Sequence, residues 1–171
     1  MSYLKGKRVY LSAPIEHEAE NANWRDEIKK SLISRFGLEV FDPFADPKQQ
    51  WAPSLVKARE EKDFETIKRV SKNFVRKDLA LVDRADFLIA CLPYRVPTTG
   101  CVHEIINSNN AKKPTLILCP QGKEKVSFWY WGFVAEECMF GSWDEVFNYL
   151  QEVEDGKHKD NDRWAYVYGL I

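Results

Sequence analysis

The chain has 171 residues, 44% of them hydrophobic and 30% charged, with a formal net charge of -1. That length suits a single domain with a full core, and the balance argues against a disordered chain. The charge offers no basic field for a nucleic-acid polymer, and no apolar run approaches the ~20 residues of a membrane span.

Residues 1–7 lack the apolar core of a signal peptide. Residues 8–13 (Arg8-Val9-Tyr10-Leu11-Ser12-Ala13) form a first predicted strand, ended by Pro14. A helix is expected over about 23–35, where Trp24, Ile28, Leu32 and Ile33 have helical spacing and Gly37 supplies a stop. A second short strand, 38–41, ends at Asp42-Pro43. Residues 46–62 are polar and proline-punctuated, with a short helix at 54–61; the segment either covers a pocket or fills surface. A long helix spans 64 to about 84, and its stripe of Ile67, Val70, Phe74, Leu81 and Val82 is assigned to the core.

The apolar run 87–92 is the third predicted strand, 102–111 a helix and 114–119 the fourth strand. Helices are expected at 128–137 and 143–153. Residues 152–163 are charged and expected at the surface, whereas 164–171 form an aromatic tail that should dock on this subunit or a neighbour. Strand and helix alternate, which predicts a parallel sheet with right-handed crossovers. The cysteines, Cys91, Cys101, Cys119 and Cys138, make no Cys-x-x-Cys pair. They are expected to be reduced thiols of a cytoplasmic protein. Three histidines, His17, His103 and His158, do not suggest a metal site.

Several polar residues gather at predicted strand ends. Tyr10 and Ser12 end the first strand, Asp42 follows the second, and Thr98 and Glu104 follow the third. Asp78 lies in the helix feeding the third strand. In open α/β sheets such positions surround one crevice. Small residues, a glycine and a carboxylate, Thr98-Thr99-Gly100-Cys101-Val102-His103-Glu104, stand where a strand gives way to a helix. Each candidate also has a structural reading. Tyr10 could be a core tyrosine, Asp42 a turn cap, Asp78 a solvated helix residue, and Glu104 a first-turn acid favoured by the helix dipole. No Walker loop, Gly-x-Gly-x-x-Gly or Gly-x-Ser-x-Gly follows a strand. Carboxylate chemistry remains: a carboxylate can attack an anomeric carbon while a second acid assists the leaving group.

Four segments together resemble the nucleoside 2-deoxyribosyltransferases and the related deoxynucleoside 5'-monophosphate N-glycosidases. They are the opening strand with its turn Ser12-Ala13-Pro14, the helix 76–86 with its acid and Ala-Asp ending, Gly100-x-x-x-Glu104, and the segment 127–132. The resemblance implies a flavodoxin-like three-layer α/β sandwich. It implies cleavage of the N-glycosidic bond of a 2'-deoxyribonucleoside or its 5'-monophosphate, with transfer to another base or to water. Glu104 would be the nucleophile, Asp78 would assist proton transfer to the leaving base, and Tyr10 would hold the nucleophile. Ser12, Ala13, Asp42, Phe44, Thr98, Thr99, Gly100 and Ser127 would bind substrate. The resemblance implies no cofactor and no metal. It implies a homo-oligomer whose Ser127 or aromatic tail completes the neighbour's site.

The chain also departs from the transferases. Thr98 stands where they carry an aspartate and Ser127 where they carry an asparagine; both changes favour a 5'-phosphate. Arg95 could add charge, whereas Ala13-Pro14-Ile15-Glu16 looks transferase-like and Glu16 would repel phosphate. The chain ends Gly169-Leu170-Ile171, not in the tyrosine of some transferases. Phe44, Trp24 and Trp51 are candidate stacking partners for the base, with core packing as the alternative. Two rivals remain: a nucleotide-sensing module without catalysis, and an N-glycosidase of a ribonucleotide or NAD-like substrate.

Overall fold

The computed structural model describes residues 2–15 and 23–171, so Glu16 and His17 lie outside the described residues. The chain runs through β1 (Arg8–Ser12), α1 (Asn23–Phe36), β2 (Glu39–Phe41), α2 (Ala52–Glu61), α3 (Phe64–Arg84) and β3 (Phe87–Cys91). It continues through α4 (Thr99–Asn110), β4 (Thr115–Leu118), α5 (Phe128–Trp131), β5 (Met139–Phe140) and α6 (Trp143–Glu154). The five strands form one sheet in the order β2-β1-β3-β4-β5, and every ladder is parallel. This is the flavodoxin-like order, whose direction of winding reverses between β1 and β3.

Right-handed crossovers then distribute the helices over both faces. On one face α1 meets α6, where Trp24 packs on Trp143 at 5.8 Å and Phe36 on Phe147 at 6.5 Å between ring centroids. On the other, α3 meets α4, and Asn107 Nδ2 donates to Asp83 Oδ1. The central strands β1, β3 and β4 between them are almost wholly buried, as central parallel strands must be. Asp86, from the Ala-Asp ending, pins the start of β1. Its carboxylate accepts from the Arg8 backbone N–H at 2.7 Å and from the Arg8 guanidinium at 2.9 Å. The Arg8 guanidinium and backbone donors hold the Asp86 carboxyl below its ordinary pKa against the opposing effect of burial.

Two boundaries differ from the sequence expectation by three residues or more. The helix expected at 128–137 stops at Trp131, because Gly132 caps it. A tight turn, Glu136–Cys138, then leads into the fifth strand. Two residues are too few to show an alternating pattern. The helix expected at 102 begins at Thr99, with Thr98 as its cap. Glu104 is therefore past the first turn, which contains no acid. The tail docks on its own subunit. Trp164 is fully buried against Phe87 and donates its Nε1–H to Tyr149 Oη at 3.1 Å, while Tyr168 Oη donates to Val153 O at 2.9 Å. All four cysteines are buried thiols, and among the described residues no helix is long and apolar enough to cross a membrane.

Candidate active site

Alternate residues of a strand share a face, so Tyr10 and Ser12 present two hydroxyls on one side of β1. Glu104, on α4, meets both. Tyr10 Oη donates to Glu104 Oε1 at 2.7 Å, and Ser12 Oγ donates to Oε2 at 2.5 Å. Each carboxylate oxygen is thus held by one hydroxyl, and the side chain cannot rotate without losing both bonds. Glu104 is only 8% exposed. Burial pushes its carboxyl up to about 7, with the two hydroxyls pulling down and the charge of Asp78 pushing up. Burial also drives the Tyr10 hydroxyl upward, and lifts the Cys101 thiol to about 12. Tyr10 and Cys101 are therefore neutral at ordinary pH, and Glu104 is the group poised to change charge.

Glu104 opens onto a cleft of about 1020 Å³ at the carboxyl ends of β1 and β3, where the winding reverses. One wall is a face of α3. Ile67, Ser71, Phe74 and Asp78 follow each other at helical spacing and all line the cleft. The stripe assigned to the core is therefore divided. Val70 and Val82 are buried, whereas Ile67 and Phe74 face the cleft. Asp78 brings a second carboxyl to the cleft, and burial raises its pKa even though Lys48 opposes the shift.

The structure gathers most of the remaining candidates here. Ala13, Phe44, Thr98, Thr99 and Gly100 line the same cleft, while Tyr10 and Ser12 lie behind Glu104 and act on it. Asp42 does not line it. Its Oδ1 accepts from Arg25 Nη1 at 2.9 Å and from the Phe44 N–H at 3.0 Å, and Lys29 Nζ lies 3.0 Å from Oδ2. In this chain Asp42 is a buried tie that shapes the turn carrying Phe44. Ser127 is exposed outside the cleft, whereas Tyr130, three residues on, is buried. Arg95 stacks on Tyr94 and is not on the cleft wall. Trp24 packs on Trp143, and Trp51 is half exposed away from the cleft, so only Phe44 of the stacking candidates reaches it.

Two residues passed over in the sequence reading shape the site. Arg25, almost fully buried, donates to Asp42 and, through Nη2, to Ala13 O at 3.0 Å. It thereby joins the end of β1 to the turn after β2. Lys48 is buried and ion-paired with Asp78. A charged residue on a polar stretch carries no sequence signal that it will be buried. No group of three or more His, Cys, Asp or Glu side chains among the described residues is arranged to hold a metal ion.

A family model described as nucleoside 2-deoxyribosyltransferase matches residues 9–161 of the chain. No curated protein sequence matches it. Among solved structures, the 2-deoxyribosyltransferase of the psychrotolerant bacterium Bacillus psychrosaccharolyticus is 20% identical, with a TM-score of 0.52 over 82% of this chain and 90% of that one. The 2-desoxiribosyltransferase of Leishmania mexicana is 16% identical, with a TM-score of 0.55 over 85% of this chain and 97% of that one. At these identities the likeness is one of fold.

Proposed function

The chain belongs to the nucleoside 2-deoxyribosyltransferase family, and from that premise we propose that it cleaves the N-glycosidic bond of a 2'-deoxyribonucleoside or its 5'-monophosphate through a covalent deoxyribosyl–Glu104 intermediate. The observation that carries this reading is the Glu104 carboxyl, buried at the cleft floor with one hydroxyl on each oxygen and Asp78 on the same cleft. A fixed carboxylate in a low-dielectric pocket is a better nucleophile than a solvated one, and its geometry costs nothing at the moment of reaction.

In the first step a Glu104 oxygen attacks C1' of the deoxyribose. The C1'–N bond breaks, its electron pair leaves with the base, and Asp78 delivers the proton the base takes up. In the second step a nitrogen of another base, or water, attacks C1' of the ester and gives up its proton to Asp78, which restores that acid, while the C1'–O bond to Glu104 breaks and returns Glu104 as a carboxylate. Two displacements retain the configuration at C1'. No step as written calls for a metal or organic cofactor. A 2'-deoxy sugar suits the chemistry, because its oxocarbenium-like transition state lacks an electron-withdrawing 2'-hydroxyl.

Thr98 and Thr99 at the cleft offer hydroxyls to a 5'-hydroxyl or 5'-phosphate, and Phe44 offers a ring to the base. A homo-oligomer is supported by α5, where Phe128 and Trp129 project into solvent directly after Ser127. A neighbour's Ser127 would complete the site. The docking of Trp164 and Tyr168 in their own core leaves α5 the stronger candidate for that contact. Four buried thiols fit a cytoplasmic setting. The deciding experiment incubates the protein with a panel of 2'-deoxynucleosides, ribonucleosides and their 5'-monophosphates, with and without an acceptor base. Base release from a 2'-deoxy substrate that disappears in Glu104→Ala is expected. Full activity in that variant, or no release from any substrate, overturns the reading.

A further inference from the structure

Lys48 takes no part in the steps above, yet its side chain is only 1% exposed. Lysine is almost never fully buried unless its charge is met. Two consecutive Asp-Pro turns carry it inward. Asp42 Oδ1 caps the turn Pro43–Ala45, and Asp46 Oδ1 accepts from the Lys48 N–H at 2.8 Å to cap the turn Pro47–Trp51. The Lys48 ammonium is ion-paired with Asp78 Oδ1 and lies 5.8 Å from the Phe74 ring centroid. A buried pair adds little stability over an apolar pair of the same shape, so stability alone does not account for it.

We propose that Lys48 is a positioning residue: its ammonium holds the Asp78 carboxyl at the cleft wall and offsets that carboxyl's charge as felt by Glu104. The inference rests on the roles given above to Glu104 and Asp78. Two carboxylates sharing a site repel, and each makes the other harder to ionise. With both ionised, the trio of Glu104, Asp78 and Lys48 carries a charge of about -1, against about -2 without the ammonium. Lys57, Arg59, Glu60 and His103 also line the cleft, but the ion pair with Asp78 is made by Lys48. Asp46 and Lys77, 3.6 Å apart, act on Asp78 with opposite signs. Tyr10, Ser12 and Cys101 surround Glu104 without bringing a cation, and the charge of Arg25 is felt at Cys101. Lys48 acts on both carboxyls.

The test compares Lys48→Met, which keeps the length of the stem, with Lys48→Arg, which keeps the charge. The ionisation midpoint of Glu104 is followed by carboxyl 13C NMR without substrate, with Glu104→Gln to assign the signal. Lys48→Met is expected to raise the midpoint by about one pH unit. The acid limb of kcat/KM should rise with it, while Lys48→Arg stays near the wild-type value. An unmoved midpoint in Lys48→Met overturns the proposal. Should that variant fail to fold, Lys48→Met with Asp78→Asn removes the buried pair together. Its midpoint is then expected above that of Asp78→Asn alone, and equal values overturn the proposal. Because the titration needs no turnover, a shifted midpoint in a protein that releases no base would refute the catalytic reading and leave the charge offset standing.

Discussion

Tyr10 Oη and Glu104 Oε1 lie 2.7 Å apart although 94 residues separate them in the chain. The sheet makes that pair. β1 and β3 are neighbours in register, with Tyr10 beside Leu88, and the helix after β3 folds back so that Glu104 reaches the hydroxyl face of β1. A tyrosine that is fully buried donates its proton to the carboxyl that the proposed reaction uses.

Tyr10→Phe removes that donor and nothing else of comparable size. A hydrogen bond to a charged acceptor contributes roughly 1.5–3 kcal/mol, so ionised Glu104 should be disfavoured by roughly one to two pH units. The acid limb of kcat/KM is expected to move from near 7 toward alkaline pH, with activity recovered as pH is raised. A profile that merely scales down at every pH would show that Tyr10 acts on packing and not on the carboxyl.

The raised pKa of Glu104 also has a stability signature. Folded, the carboxyl ionises near 7; its ordinary value is 4.5. Between these values the folded state keeps a proton that the unfolded state has lost. Stability therefore falls as pH rises through that window, and the full cost, about 3 kcal/mol, is present above it. Glu104→Gln cannot ionise, and its amide can serve both hydroxyls. Urea denaturation should find the variant more stable than wild type by up to ~3 kcal/mol above pH 7. The gap should close near pH 4, while base release is abolished at every pH. A constant difference across that range would reject the titration argument.

Much of this site is legible because its parts obey short periods. Tyr10 and Ser12 stand two residues apart on a strand, so one face carries both hydroxyls. Gly100-x-x-x-Glu104 follows a short apolar run that reads as a buried strand, and the strand–helix alternation predicts the parallel sheet. What is not legible depends on where elements meet. The face of α3 that lines the cleft has the same helical period as the face that packs on the core, so Phe74 and Val82 look alike until the helix is docked. Lys48 sits in a polar stretch, and its burial arises only when two Asp-Pro turns approach α3. Met139-Phe140 becomes a strand because β4 offers an open edge, a reason that lies outside those two residues.

Arg25→Ala should test the frame of the cleft separately from its chemistry. The Arg25 and Asp42 side chains are 3% and 2% exposed. Removing one member of a buried pair leaves an unmet charge, which costs ~3–5 kcal/mol. Lys29, 3.0 Å from the other Asp42 oxygen, keeps part of the compensation, so a loss near ~3 kcal/mol is expected. KM should rise, because Ala13 O loses its donor and Phe44 its support, whereas the pH profile of kcat should hold. A shifted profile with unchanged KM would mean that Arg25 acts on the acids instead of on the wall.

The last prediction concerns α5. Phe128 is 91% exposed and Trp129 74%, whereas Tyr130 between them and Trp131 is buried and packs on Phe133. The helix is therefore anchored by one ring and presents two others outward. Adjacent exposed aromatic rings beside a polar rim are typical of an interface between chains. Replacing Phe128 and Trp129 with glutamate places two charges where a second copy would pack, without touching this subunit's core. Light scattering is expected to show wild type as an oligomer and the double variant as a monomer, with the circular dichroism of the two alike. If Ser127 completes the neighbour's site, base release falls with the mass. A monomeric wild type, or a double variant that keeps its mass, would remove α5 from the interface and return Ser127 to its own subunit's surface.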